Sequence, residues 1–141
     1  MIDERRGSPI FRRVTYIGLS VTDAGRSAEW YRRVLGMETE RQNFGGGAWP
    51  SDWDEVLLIH PGSGLRIALL QHPSNDGTPF SEFRTGLDHV EFEVGSMRDL
   101  DAWRRRLDEL GVGYSSARPH ILTFRDPDNI QLEFFCPEGN R

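Results

Sequence analysis

A histidine and two glutamates alternate with apolar residues in one short stretch of the second half of the chain. His89, Glu91 and Glu93 occupy every second position of the run 89–94. Because successive side chains of a β-strand point to opposite faces, these three would share one face. Imidazole and carboxylate groups on one face can bind a metal ion or transfer protons.

A second alternating stretch, 130–135, ends the same half of the chain. It sets Gln131 and Glu133 against an apolar face made of Ile130, Leu132 and Phe134. Since the apolar face must cover a helix, Gln131 and Glu133 should lie on the same side of the sheet as the first polar set. In an open antiparallel sheet this side would be the solvated face, and a histidine beside a glutamate would be an ordinary hydrogen-bonded pair. In a sheet curled around a pocket it would be an acid-rich site.

An internal repeat indicates which elements position these residues. The run 16–21 alternates as the run 89–94 does, and each is followed by a predicted helix that carries Trp-x-Arg-Arg. Trp103 lies 73 residues after Trp30, the same offset as between the two strands. Two features that keep one offset predict two copies of one structural unit.

Both predicted helices have start and stop signals. Asp23 is a candidate N-cap of the first helix, and Ser96 with Asp99 three residues later resembles a capping box for the second. Gly36 and Gly111 follow the helices and suit the left-handed C-cap. The predicted apolar stripes are Ala28, Tyr31 and Leu35 in the first helix and Leu100, Trp103, Leu107 and Leu110 in the second.

Three further strands are predicted after each helix. They lie near 38–43, 55–60 and 65–71 in the first half, and near 112–115, 120–125 and 130–135 in the second. The sequence therefore predicts an α+β fold of two βαβββ modules, at about 11–71 and 87–136. A linker at 72–86, rich in Pro, Ser, Asn, Asp and Gly, joins them into one domain spanning 1–141.

Composition excludes some classes of function. With 22 acidic against 17 basic residues and a formal charge of −5, the chain is a poor match for a nucleic-acid partner. The arginine run 104–106 is expected to be a solvated helix face. No apolar stretch is long enough for a membrane span, and the single cysteine, Cys136, excludes a disulfide framework and favours the cytoplasm. No nucleotide cofactor is expected.

One loop combines flexibility with aromatic residues. Phe44 to Trp53 contains the glycine run 45–47 and also Trp49. Such a loop can pack its tryptophans locally on the surface, or it can act as a lid that closes over a ligand.

The chain resembles the vicinal oxygen chelate superfamily of glyoxalases, bleomycin-resistance proteins and extradiol dioxygenases. The resemblance rests on Val14–Gly36, on Leu87–Val94 and on the Asp-Pro-Asp turn with the strand after it, 126–133. It implies curled mixed sheets around a concave pocket, with the helices on the outer face. It also implies that His89 and Glu133 are metal ligands.

The first half departs from the superfamily pattern. Tyr16 and Ala68 stand where other members have metal ligands. Both are expected in the substrate pocket, over which Trp49 and Trp53 of the loop would close. Zinc sites usually use roughly three or four protein ligands. Completing the set would therefore require water, substrate or one of three further residues, namely Glu91, His60 and His72.

Two functions remain open. The first is a glyoxalase-like or dioxygenase-like enzyme that binds Fe, Mn, Zn or Ni and acts on a small oxygenated substrate, with Glu91 or Glu133 as the catalytic base. The second is a metal-free protein that binds or sequesters a small molecule, as bleomycin-resistance proteins do. A homodimer is expected in both cases, because pairing of modules covers exposed strand edges.

Overall fold

The computed structural model describes residues 2–3, 7–44 and 52–141, and each predicted module forms one sheet and one helix. A short N-terminal hairpin contains β1 (Ile2–Asp3) and β2 (Ser8–Pro9). The first module contains β3 (Ile17–Ser20), α1 (Ala24–Leu35), β4 (Glu38–Asn43), β5 (Asp54–Ile59) and β6 (Arg66–Gln71). The second contains β7 (Val90–Glu93), α2 (Met97–Glu109), β8 (Tyr114–Ser115), β9 (Ile121–Arg125) and β10 (Gln131–Phe135), and a single 3₁₀ turn follows at Glu138–Asn140.

The two sheets have the same topology, which confirms the α+β fold of two βαβββ modules. Their strand orders are β3-β6-β5-β4 and β7-β10-β9-β8. In each sheet the first and last strands of the module pair in parallel, and the other pairs are antiparallel. Within the described residues no hydrogen-bonded strand pair joins the sheets, so β3 and β7 are free edges and the sheets are not closed.

The helices begin and end at the predicted signals. The Asp23 carboxylate accepts the backbone N–H of Arg26 at 2.8 Å, and Ser96 Oγ accepts that of Asp99 at 3.2 Å. Gly36 and Gly111 have φ of 70° and 67°, a region that glycine enters without steric cost. Neither helix is long and apolar enough to cross a membrane, within the part of the chain that the structure describes.

The core lies between the helices and the apolar faces of both sheets. The predicted stripe of α1 is buried, and so are Leu100 and Leu107 of α2, while Trp103 and Leu110 pack at the margin. Trp103 stacks on Phe134 at 4.2 Å between ring centroids, and Phe134 stacks on Phe124 at 5.2 Å. Full burial of a large apolar side chain stabilises a fold by about 1.5–3 kcal/mol. This packing therefore holds the apolar faces of β9 and β10 against the helix, and their polar faces point away from it.

A buried polar network joins the two modules. Tyr31 of α1 donates its hydroxyl to Asp126 at 3.0 Å, and the same carboxylate accepts the backbone N–H groups of Asp128 and Ile130. Burial raises the pKa of Asp126 and also that of Tyr31. Thr22 donates its backbone N–H and its hydroxyl to Asp128. The turn that precedes β10 is therefore fixed against the first module.

Arg106 makes a second contact between the modules. Its guanidinium donates to the carbonyls of Val34 at 2.8 Å and Arg33 at 2.6 Å, at the C-terminal end of α1. Cations are favourable there because these carbonyls lack helical partners and carry the negative end of the helix dipole. Arg106 is exposed, as expected of a solvated face, and it also makes these contacts between the modules.

Candidate metal centre

Glu133 occupies the middle of a row of three side chains across the second sheet. Strand β10 lies between β7 and β9, and the register sets Glu133 opposite Glu91 on one side and Thr123 on the other. Residues directly opposite on neighbouring strands project to the same face. That face points away from the helix, because Leu132 and Phe134 on the other face belong to the core.

His89 joins this row from the residue before β7. Ligand atoms of His89, Glu91 and Glu133 all lie within 4.8 Å of one another, and His89 Nε2 is 3.7 Å from Glu133 Oε2. Two ligand atoms bound to one zinc ion at about 2.0–2.2 Å lie at most about 4.4 Å apart. Small side-chain movements would therefore bring this group to bonding distance, and the donor set fits a divalent ion.

Two neighbouring residues orient the histidine and the central glutamate. His89 Nδ1 lies 2.7 Å from Asp88 Oδ1, and Thr123 Oγ1 donates to Glu133 Oε1 at 3.0 Å. These bonds occupy one atom of each side chain and leave His89 Nε2 and Glu133 Oε2 facing each other. Metal-binding histidines typically have such a carboxylate partner on the second ring nitrogen. Neither Asp88 nor Thr123 was predicted from the sequence as a site residue.

The site is rich in negative charge. The bond to Asp88 raises the pKa of His89, with smaller contributions from Glu133 and Glu91, while partial burial opposes the shift. Glu133 is only 8% exposed, whereas His89 and Glu91 are open to solvent. A divalent cation would offset the repulsion between the two carboxylates.

The nearby arginine of β9 is already paired. Arg125 contacts both carboxylate oxygens of Glu82 at 2.9 and 3.1 Å and also binds Gln131. This pairing lowers the pKa of Glu82 to about 2 and ties the linker to the second sheet. Arg125 therefore does not form an ion pair with the three candidate ligands.

The predicted pocket residues lie in the first module or in the loop. Tyr16, directly before β3, is 45% exposed, and Ala68 of β6 is fully buried. Trp53 is half-buried, with its ring centroid 5.6 Å from that of His72. Trp49 and the glycine run 45–47 lie outside the described residues.

A groove of about 400 Å³ lies next to β7 and is lined by residues of both modules. Its lining is mainly apolar and includes Ile17 and Met37 from the first module and Phe92 and Trp103 from the second. Glu91 also borders it. This volume falls within the range of about 300–1,000 Å³ that is usual for small-molecule sites.

Comparison with known proteins identifies the fold and the family. Residues 13–134 match the model of the Glyoxalase/Bleomycin resistance protein/Dioxygenase superfamily. A glyoxylase/bleomycin resistance protein/dioxygenase domain from Frankia sp. EAN1pec is 34% identical, with a TM-score of 0.77 over 92% of this chain and 100% of that one.

Fosfomycin resistance proteins share the fold at lower identity. FosX from Listeria monocytogenes, in complex with Mn(II) and a sulfate ion, is 19% identical, with a TM-score of 0.67 over 94% of this chain and 98% of that one. FosX from Mesorhizobium loti is 19% identical, with a TM-score of 0.66 over 89% and 92% of the two chains. No curated protein matches significantly. The extent of the family match and the Frankia relative together show that this chain belongs to the glyoxalase/bleomycin resistance protein/dioxygenase superfamily.

Proposed function

We propose that this protein is a metal-dependent enzyme that acts on a small oxygenated substrate. The observation that carries the proposal is the cluster of His89, Glu91 and Glu133, whose ligand atoms lie within 4.8 Å of one another. The Mn(II) complex of FosX, which has the same fold, supports it.

The residues at the site have separate tasks. His89 and Glu133 would hold the ion, and Asp88 and Thr123 orient them. A divalent ion there would supply Lewis-acid polarisation of substrate oxygen atoms. The carboxylates of Glu91 and Glu133 are the nearest groups able to accept a proton from a substrate.

The groove beside β7 does not identify the substrate of the cluster. Its lining residues Phe92, Trp103 and Phe134 lie on the helix-facing side of the second sheet, whereas the cluster lies on the other side. Trp53 and Tyr16 remain candidates for further substrate contacts, although both belong to the other module.

We also propose a homodimer. The free edges of β3 and β7 carry backbone groups without a strand partner within the described residues. Such edges are usually covered in native proteins. Light scattering should therefore give twice the chain mass of 16.2 kDa, and a monomer at micromolar concentration would contradict the assembly.

Metal content tests the enzyme proposal. Mass spectrometry should find about one divalent ion per chain after incubation with Fe, Mn, Zn or Ni, and less in His89→Ala and Glu133→Ala. A wild type without metal under all four conditions would instead support a metal-free protein that binds a small molecule. This alternative function agrees with the lack of a metal-ligand atom in the side chain of Ala68. Stoichiometric metal in both variants would show that the ion binds elsewhere.

A further inference from the structure

The metal centre needs a third protein ligand, because His89 and Glu133 are only two and metal sites of this kind usually have roughly three or more. We infer that the second module supplies all the protein ligands and that Glu91 is the third. This inference rests on the proposed function, and it assigns Glu91 to the metal instead of to proton transfer.

The register of the second sheet supports Glu91. Strands β7 and β10 run parallel, and Glu91 lies directly opposite Glu133. It also follows His89 by two residues, so alternation places all three side chains on one face. Ligands from β10, from β7 and from the residue before β7 need no contribution from the first sheet.

Within the described residues, the Glu91 carboxylate is not held by a partner of its own. It forms no hydrogen bond and no ion pair with the described part of the chain, although it lies close to a second carboxylate. Two carboxylates held this close repel each other without a shared cation or proton. Glu133 Oε2, on a side chain that is only 10% exposed, has no hydrogen bond within the described residues and faces His89 Nε2 at 3.7 Å.

The other candidate ligands are placed or bonded differently. His60 Nδ1 is 2.8 Å from Ser63 Oγ, and the ring of His72 contacts that of Trp53. Glu93 shares the face of Glu91 but lies opposite Phe135, so no carboxylate faces it across β10. Glu93 is therefore a matched control for Glu91.

The ligand set indicates the class of ion. One imidazole and two carboxylates form an oxygen-rich set whose two negative charges balance a divalent cation. Carboxylate ligands suit hard ions such as Mn²⁺, whereas thiolate-free sites of this kind do not select soft ions such as Cu⁺. The remaining coordination positions would be open to oxygen atoms of water or substrate.

Calorimetric titration of the full chain with Mn²⁺ tests the inference, using wild type, Glu91→Gln, Glu93→Gln and Tyr16→Phe. Glutamine keeps the size of glutamate but removes the charged ligand. We expect Glu91→Gln to weaken Mn²⁺ binding more than about 100-fold, beyond the usual effect of losing an outer-shell partner. Glu93→Gln and Tyr16→Phe should each change it less than about fivefold, as expected for one exposed group.

Each contrary result has a distinct meaning. If wild type binds Mn²⁺ and the affinity of Glu91→Gln is within about tenfold of wild type, Glu91 is not a ligand. A loss of Mn²⁺ affinity confined to Tyr16→Phe would place the site nearer the first module. If wild type binds neither Mn²⁺ nor Fe, Zn or Ni, the proposed function fails and the inference fails with it. Circular dichroism establishes that each variant is folded, which is expected because Glu91, Glu93 and Tyr16 are exposed.

Discussion

Replacing Thr123 by valine should weaken metal binding without changing any metal ligand. The threonine hydroxyl donates to Glu133 Oε1 at 3.0 Å, and valine has nearly the same shape but cannot donate. Without this bond the glutamate can rotate, and Oε2 is no longer held towards His89 Nε2. The substitution therefore tests whether the orientation of Glu133 matters.

The structure sets the magnitude. A hydrogen bond to a charged group contributes about 1.5–3 kcal/mol, and Glu133 is only 8% exposed, so water replaces the lost donor poorly. Thr123 is itself partly exposed, which favours the lower end of that range. A loss of about 1.4 kcal/mol corresponds to a tenfold weaker dissociation constant, and this agrees with the lower limit of about 10–100-fold for outer-shell partners.

Calorimetric titration of Mn²⁺ into wild type, Thr123→Val and Thr123→Ser measures the effect. Serine keeps the hydroxyl and should bind within about threefold of wild type, whereas valine should bind about tenfold more weakly. Equal affinity in the valine variant and wild type would refute the idea that Thr123 orients the glutamate. Equal losses in both variants would point to strand packing as the cause.

Three further predictions concern stability and metal binding. Asp126→Ala should lower the free energy of unfolding by about 3 kcal/mol or more, because two backbone N–H groups and the Tyr31 hydroxyl lose their acceptor. In Asp126→Asn the free energy of unfolding should stay within about 1 kcal/mol of wild type, and urea denaturation measures both changes. The pKa of Glu82 is lowered from 4.5 to about 2, so its ion pair with Arg125 stabilises the fold above pH 4.5 and is lost towards pH 2. The difference in urea midpoint between wild type and Glu82→Gln should therefore shrink over that interval, and a constant difference would contradict it. Free metal at about 100 times its dissociation constant should stabilise the protein by about 2.7 kcal/mol, and a thermal scan without any shift would count against binding to the native state.

The sequence predicted the fold almost completely, because local signals and the repeat agreed. Alternation located β7 and β10 to within one residue of their observed ends, and Asp23, Ser96 and Gly36 act as the caps their types suggest. These features depend on neighbours within a few positions along the chain. A repeat at a fixed offset then supplied the long-range arrangement.

Contacts between distant residues were less predictable. Arg106 binds carbonyls more than 70 positions away, and its type alone does not distinguish this from a solvated face. The role of Thr123 requires the register between β9 and β10, which alternation within one strand does not determine. Glu91 was recognised as an acidic residue on the correct face, but only the parallel pairing of β7 with β10 sets it opposite Glu133.

Anomalous diffraction from crystals soaked in Zn²⁺ would test the central claim most directly, since it locates the ion itself. We expect one peak about 2.0–2.2 Å from His89 Nε2 and from a carboxylate oxygen of both Glu91 and Glu133. This peak should disappear in crystals of Glu133→Ala. A peak bound to other side chains, or no peak at this cluster in a soaked wild-type crystal, would contradict this claim.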